Sequence, residues 1–284
     1  MYAVLFVLGC SFSALADDKL SAEEIIAKHL ESIGSKAKRD EVKNRMIVGV
    51  SNFAVLRTPS NMAGQAVLAS EANKTLLGIN FGSPAYPFEK IIFNGDKASI
   101  AFVTPGNRSA LGTFLLVNKV IITEGLLGGT LQSAWSLQDL KGRKAKVENA
   151  GTKKIDGREC YVLNYFPNGG SNLTVKLFFD AENFQHLRTE YRQYIGAQQG
   201  AASSRTGIDE AINNSAKQQE TRHTLIEEYS AYKPESGLVL PHTYKLYLSL
   251  EETRGTKEFE WKFEFSQFVF NQKFDPKSFE AESE

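Results

Sequence analysis

The chain has 284 residues, 42% of them hydrophobic, 11% aromatic and 23% charged, and its 33 basic and 33 acidic side chains balance. This is an ordinary globular composition, long enough for one large β-rich domain or two small ones. The missing basic excess excludes a nucleic-acid footprint, which must neutralise phosphates.

Residues Met1–Ala16 read as a secretory signal, residues 17–284 then forming a single domain. Tyr2–Gly9 are apolar, and Ala14-Leu15-Ala16 is a small-x-small cleavage site before Asp17-Asp18. A second reading stays open: Val7-Leu8-Gly9-Cys10 resembles a bacterial lipobox and would make Cys10 an acylated N-terminus. Cleavage after Ala16 is favoured because the apolar run before Cys10 is short. Either the chain is exported to the periplasm, or acylation at Cys10 anchors it to the outer membrane. With Cys10 in the signal, only Cys160 remains. No internal disulfide can then form, and Cys160 is expected as a small core residue.

Ser21-Ala22-Glu23-Glu24 is a capping box, followed by Ile25, Ile26, His29, Leu30 and Ile33 at helical spacing and Gly34 at the stop position. His29 is expected to be packed and not a ligand. From Asn44 the periodicity becomes that of strands: 45–56, 65–81 with a break near Asn73, 88–93 and 98–104, the last two flanking the hairpin signal Asn94-Gly95.

Ser109–Leu140 is the most apolar stretch after the N-terminus, with helical spacing. Asn118, Lys119 and Glu124 interrupt it, so no 18-residue charge-free span exists and a membrane-crossing helix is excluded. Ser109 caps an expected helix carrying Leu111, Phe114, Leu115, Ile121 and Ile122, with Gly125 as its stop. Gly128-Gly129 break the chain before a second expected helix with Leu131, Ala134 and Trp135.

Strands return after Gly142: 145–155 and 158–165 around Asp156-Gly157, then 173–179 and 184–194 around Asp180–Asn183, and finally 224–232, 238–250 and 258–270. Residues 197–222 are polar and are expected as a mobile excursion. Tyr244, Leu246, Leu248 and Leu250 alternate with polar neighbours, as do Phe259, Trp261, Phe263 and Phe265. That alternation leaves one face of the sheet dry and in need of a cover. The expected fold is α+β, mainly antiparallel β: a strongly curved half-barrel of about nine to eleven strands, its concave face covered by two or three helices.

Motifs for hydrolysis, zinc, phosphate or dinucleotides do not occur. The four histidines fall on separate elements without ligand spacing, so no metal and no cofactor is expected. Glu227-Glu228 and Glu251-Glu252 place their carboxylates on opposite faces of a strand, wrong for shared acid–base work and most simply solvated. What remains is apolar surface for a ligand. The lid would carry Leu111, Phe114, Leu115, Ile122, Leu126, Leu127, Leu131 and Trp135, and the cavity wall Leu246, Leu248, Phe259, Trp261, Phe263 and Phe265. For each lid residue, plain core packing is the competing reading. Gly112, Gly125, Gly128 and Gly129 weaken helices and suit a cover that shifts.

Several stretches carry a resemblance: Ser32-Ile33-Gly34, Ile47-Val48-Gly49, Lys154–Leu163, Leu177–Asp180, Leu240–Tyr244 and Phe274–Phe279. Together the chain resembles the LolA/LolB-like outer-membrane lipoprotein carriers. The resemblance implies a half-barrel with a helical lid, lying beyond the inner membrane of a Gram-negative-type cell and binding acyl chains. The function expected is a non-catalytic envelope carrier that shelters acyl chains of a lipid or lipoprotein. The alternatives are an envelope sensor or protein-binding module and, last, a hydrolase without a recognisable motif.

Overall fold

The computed structural model describes residues 20–195, 221–252 and 255–280. The expected signal, Cys10 and nearly all of the expected polar excursion lie outside them. Of that excursion only Thr221 and Arg222 are described, and they open a strand.

Helix α1 (Ala22–Ile33) begins with the expected capping box: Glu24 donates its N–H to Ser21 Oγ at 3.2 Å, and its carboxylate accepts the Ser21 N–H at 2.8 Å. Ser35 caps a short, unanticipated α2 (Lys36–Glu41). The strands are β1 (Asn44–Val55), β2 (Ser60–Glu71), β3 (Lys74–Ser83), β4 (Tyr86–Phe93) and β5 (Ala98–Ile100), then β6 (Lys146–Ile155), β7 (Arg158–Phe166) and β8 (Leu173–Asp180), and last β9 (His186–Ile195), β10 (Thr221–Glu235), β11 (Leu238–Glu252) and β12 (Gly255–Phe270). Asp156 and Gly157 take φ of 49° and 83°, both positive as a tight type I′ hairpin demands. The Asn94-Gly95 signal yields a longer turn. Asn94 Oδ1 accepts the N–H groups of Asp96 and Lys97, and pairing resumes only at Ala98.

All twelve strands join one antiparallel sheet in the order β5-β4-β3-β2-β1-β12-β11-β10-β9-β8-β7-β6. The expected half-barrel is thereby corrected: among the described residues the sheet has twelve strands, is not closed into a barrel and is not strongly curled. The Ala72-Asn73 turn divides the run read as 65–81 into two full strands. The outermost strands, β5 and β6, do not pair with each other. β5 has three residues, too few to template closure, and β6 is broken by a bulge between Asn149 and Thr152 and carries Lys146, Lys153 and Lys154, the usual guards of a free edge.

The order explains the apolar segment. The chain steps outward from β1 to β5, and a second meander steps from β6 back to β12, which pairs with β1. Residues 101–145 therefore connect one edge of the sheet to the other. They cross the dry face, and the requirement for a cover and the requirement for a connection are met by the same residues.

That segment forms α3 (Ala110–Val117), α4 (Val120–Thr123), two 3₁₀ turns (Gly129–Leu131 and Ser136–Gln138) and α5 (Leu140–Arg143). The two expected helices are thus replaced by shorter pieces. Asn118 ends α3 early, its side-chain amide donating to Phe114 O at 3.0 Å and to Gln193 Oε1 at 3.1 Å. Gly125, Gly128 and Gly129 take φ of 65°, 77° and 42°, left-handed values that stop a helix from re-forming before Trp135.

One large core joins α1, the segment and the inner face of the sheet. Two small clusters lie outside it. Cys160 is buried in one with Ile155, Val162, Phe178 and Leu187; in the other, Phe279 of the 3₁₀ turn Pro276–Phe279 packs on Ala69 and Ile92.

Candidate functional site

Beside the N-terminus of α3, an apolar cleft of about 400 Å³ opens between the sheet and the loop that follows β5. Phe53 and Val55 of β1, Met62 of β2, Tyr86 of β4, and Phe259 and Trp261 of β12 form its floor. Val103, Arg108 and Ala110 stand on the loop side. Its volume lies in the range of small-molecule sites. The floor is an aromatic cluster: the Phe53 ring centroid lies 5.0 Å from that of Trp261 and 5.2 Å from that of Tyr86. A cleft of about 430 Å³ at the turn between β7 and β8 is lined only by residues 164–176 and touches neither the segment nor the aromatic floor.

Beneath the first cleft runs a buried polar relay. Trp261 Nε1 donates to Tyr86 Oη at 3.0 Å, and the Tyr86 hydroxyl donates to Glu89. Glu89 also accepts the Ser109 hydroxyl, which in turn accepts the Gly112 N–H at 2.8 Å and so caps α3. Burial pushes the Glu89 carboxyl above the usual carboxylate range, and the Ser109 and Tyr86 donors pull it back. The relay ties the floor of the cleft to the first turn of its cover. A side chain at Gly112 would lie 2.9 Å from Glu89 Oε1 and would push on the buried carboxyl.

Phe259 and Trp261, two of the expected wall residues, border the cleft. Leu246, Leu248, Phe263 and Phe265 instead lie in the closed core. The expected lid residues Leu111, Phe114, Leu115, Ile122, Leu126, Leu127, Leu131 and Trp135 are all buried in that same core, at most 4% exposed. The segment is closed onto the sheet.

Polar anchors hold it there. Trp135 Nε1 donates to His29 Nε2 at 3.0 Å, while His29 Nδ1 lies 3.0 Å from Phe184 O, which fixes the neutral tautomer with Nδ1–H donating. Burial lowers the His29 pKa to about 4 and that of His186, 5.9 Å away centroid to centroid, well below its ordinary value. Arg45 is buried and donates from Nη1 to Thr130 O at 2.9 Å; burial lowers its pKa to about 10. Ser133 donates its N–H and its hydroxyl to Ser70 Oγ at 2.8 and 2.9 Å.

The densest anchor is Glu227. Its Oε1 accepts the Tyr191 hydroxyl at 2.6 Å, and its Oε2 accepts Tyr229 at 2.6 Å, Tyr244 at 2.7 Å and the Gly128 N–H at 2.8 Å. Burial raises its pKa, and the hydroxyls oppose the shift. Glu227-Glu228 is therefore not a solvated pair. The two do point to opposite faces, but only Glu228 lies on the wet face, where Arg188 and Lys245 pair with it; Glu227 is wholly buried.

Sequence reasoning missed Arg45, Glu89 and Glu227, although a signal was present. Each sits on the apolar parity of its strand: Arg45 with Ile47 and Phe53, Glu89 with Ile91 and Phe93, Glu227 with Leu225 and Tyr229. Among the described residues no group of histidine, cysteine or acidic side chains is placed to hold a metal ion, and no helix is long and apolar enough to cross a membrane.

No protein-family model and no curated protein sequence matches the chain. Solved structures do. A LolA superfamily protein from Nitrosomonas europaea is 13% identical with a TM-score of 0.48, the match covering 92% of this chain and 98% of the other. A DUF1329 family protein from Desulfovibrio piger is 10% identical with a TM-score of 0.47, covering 91% and 96%. A domain assigned to outer membrane lipoprotein sorting, from Vibrio parahaemolyticus, is 12% identical with a TM-score of 0.45, covering 89% and 95%. The chain is distantly similar in structure, at low identity, to proteins of the LolA/LolB superfamily.

Proposed function

We propose that the chain is a non-catalytic binding or carrier protein of the cell envelope that shelters acyl chains of a lipid or lipoprotein. The observation that carries this reading is the cleft of about 400 Å³ floored by Phe53, Met62, Tyr86, Phe259 and Trp261. An aromatic floor beside the end of a cover rich in glycine suits a hydrocarbon chain, whose removal from water is worth about 0.8 kcal/mol per methylene. The acyl chain enters over Trp261 and extends beneath the segment once Leu111, Phe114, Leu115 and their neighbours withdraw from the sheet. On this reading the chain is exported, and it is tethered at the outer membrane if Cys10 is acylated.

Mass spectrometry of protein purified natively without detergent, combined with uptake of a fluorescent fatty acid, tests the proposal. A co-purifying lipid and saturable uptake are expected. Absence of both would overturn the carrier reading, and crosslinking that captures one envelope protein independently of lipid would replace it with a protein-binding module.

A further inference from the structure

The cover is fastened to the sheet by backbone as well as by side chains, and one of its backbone bonds goes to a buried carboxyl. Glu227 gathers four donors from four stretches of chain: Tyr191 of β9, Tyr229 of its own strand, Tyr244 of β11 and the backbone N–H of Gly128. The three tyrosines are themselves buried, and the Tyr229 and Tyr244 rings stack at 5.3 Å, so the carboxyl is held in one position by groups that belong to the rigid sheet. The Gly128 N–H is the only one of the four that belongs to the cover.

The loop is shaped for this seat. Gly128 and Gly129 both take left-handed φ, and a side chain on Gly129 would lie 2.8 Å from Tyr229 Oη and 3.0 Å from the His186 ring. One on Gly128 would lie 3.0 Å from Leu68 and from Gln132 Nε2. Two adjacent glycines let the backbone take left-handed φ over the tyrosine cluster, and at Gly129 a side chain would press on the Tyr229 hydroxyl. Lifting the loop leaves the tyrosine–carboxylate cluster intact and breaks a single bond to it, an asymmetry that suits a fastening meant to be released.

We infer that Glu227, held by Tyr191, Tyr229 and Tyr244, is a latch on the Gly125–Trp135 part of the cover, acting beside the Arg45–Thr130, Ser70–Ser133 and His29–Trp135 bonds, and that releasing Gly128 from it is one step of the withdrawal that admits a ligand. This rests on the carrier reading above for the ligand, but not for the latch. Glu227 acts through the cover and is a positioning residue.

Hydrogen exchange at residues 125–136 reads the opening directly, without any ligand. Glu227→Leu, which removes the acceptor, is expected to speed exchange there by about tenfold or more, the scale of one lost buried hydrogen bond, and by more than in β9–β11, whose three tyrosine hydroxyls lose the same acceptor. Glu227→Gln, whose carbonyl can take over the Oε2 donors, is expected to return exchange to near the wild-type rate. If Glu227→Leu does not fold, Glu227→Asp keeps a carboxyl for the tyrosines while drawing it back from Gly128, and is expected to speed exchange at 125–136 selectively. Unchanged exchange, or an equal rise in the strands, would overturn the latch. Fluorescent fatty-acid uptake by Glu227→Leu and Glu227→Asp is expected to be faster than wild type, and uptake by Glu227→Gln close to it. Selective opening with no uptake by any protein would leave the latch standing and overturn the carrier reading.

Discussion

Ser109 joins two neighbours through a single oxygen. Its hydroxyl oxygen accepts the Gly112 N–H and caps α3, while its proton goes to buried Glu89. Ser109→Ala therefore removes a cap and leaves a buried carboxyl oxygen without that donor. A loss of about 2 kcal/mol in urea unfolding is expected, the sum of a typical N-cap and a buried hydrogen bond. A change below about 0.5 kcal/mol would mean that the relay beneath the cleft carries no load. At Gly129 the constraint is steric. Alanine there would adopt a left-handed φ and meet Tyr229 Oη at 2.8 Å, so Gly129→Ala is expected to cost at least about 1 kcal/mol. Neutral or improved stability in the same assay would contradict that placement of the loop.

Among the elements, α1 and the cover meet at His29, and that meeting titrates. Folded His29 has its pKa lowered to about 4 by burial, against about 6.5 when the chain unfolds, so the folded form binds fewer protons between these values. Its contribution is fully present above pH 6.5 and is lost as pH falls toward 4, a span of about 3 kcal/mol at most. Protonation also places a proton on Nε2, which then cannot accept the Trp135 indole N–H. Glu89 and Glu227 act in the opposite direction. With pKa values raised by burial, their contribution is present in acid and fades as pH rises through the folded value. The stability difference between wild type and His29→Gln isolates the histidine. It is expected to shrink steadily from pH 6.5 to 4, and a constant difference would contradict the neutral, buried tautomer.

The elements were also the most legible level of the sequence. The capping box at Ser21, the Asp156-Gly157 turn and the alternation of Tyr244, Leu246 and Leu248 each fix structure through contacts a few residues apart, and each is found where the pattern places it. The crossing segment was less legible. Its helix ends at Asn118 because of a partner in β9, Gln193, that no local pattern reveals. The polar centre is hidden from the sequence for a related reason. A glutamate on the apolar parity of a strand reads as solvated until three tyrosines from three strands are brought around it, and only strand order does that.

At the scale of the molecule, strand order governs everything else. Because β5 and β6 occupy opposite edges and β1 pairs with β12, the connection between the two meanders has to cross the dry face, and it becomes the cover. The number of strands could be approached from turn signals, but an open sheet and a closed one present the same alternation, so the curvature expected from the sequence was not recoverable from it. The cleft lies where the cover begins, with Val103 on the loop side and Trp261 in the floor. Val103 is only partly buried, so Val103→Trp is expected to fill the space while leaving the fold intact. Equilibrium titration of wild type and Val103→Trp with a fluorescent fatty acid is the most direct test of acyl-chain sheltering. The wild type is expected to bind saturably and the variant about tenfold or more weakly, as the loss of two or so buried methylenes implies. Equal affinity in the two proteins, or no binding by either, would contradict the account.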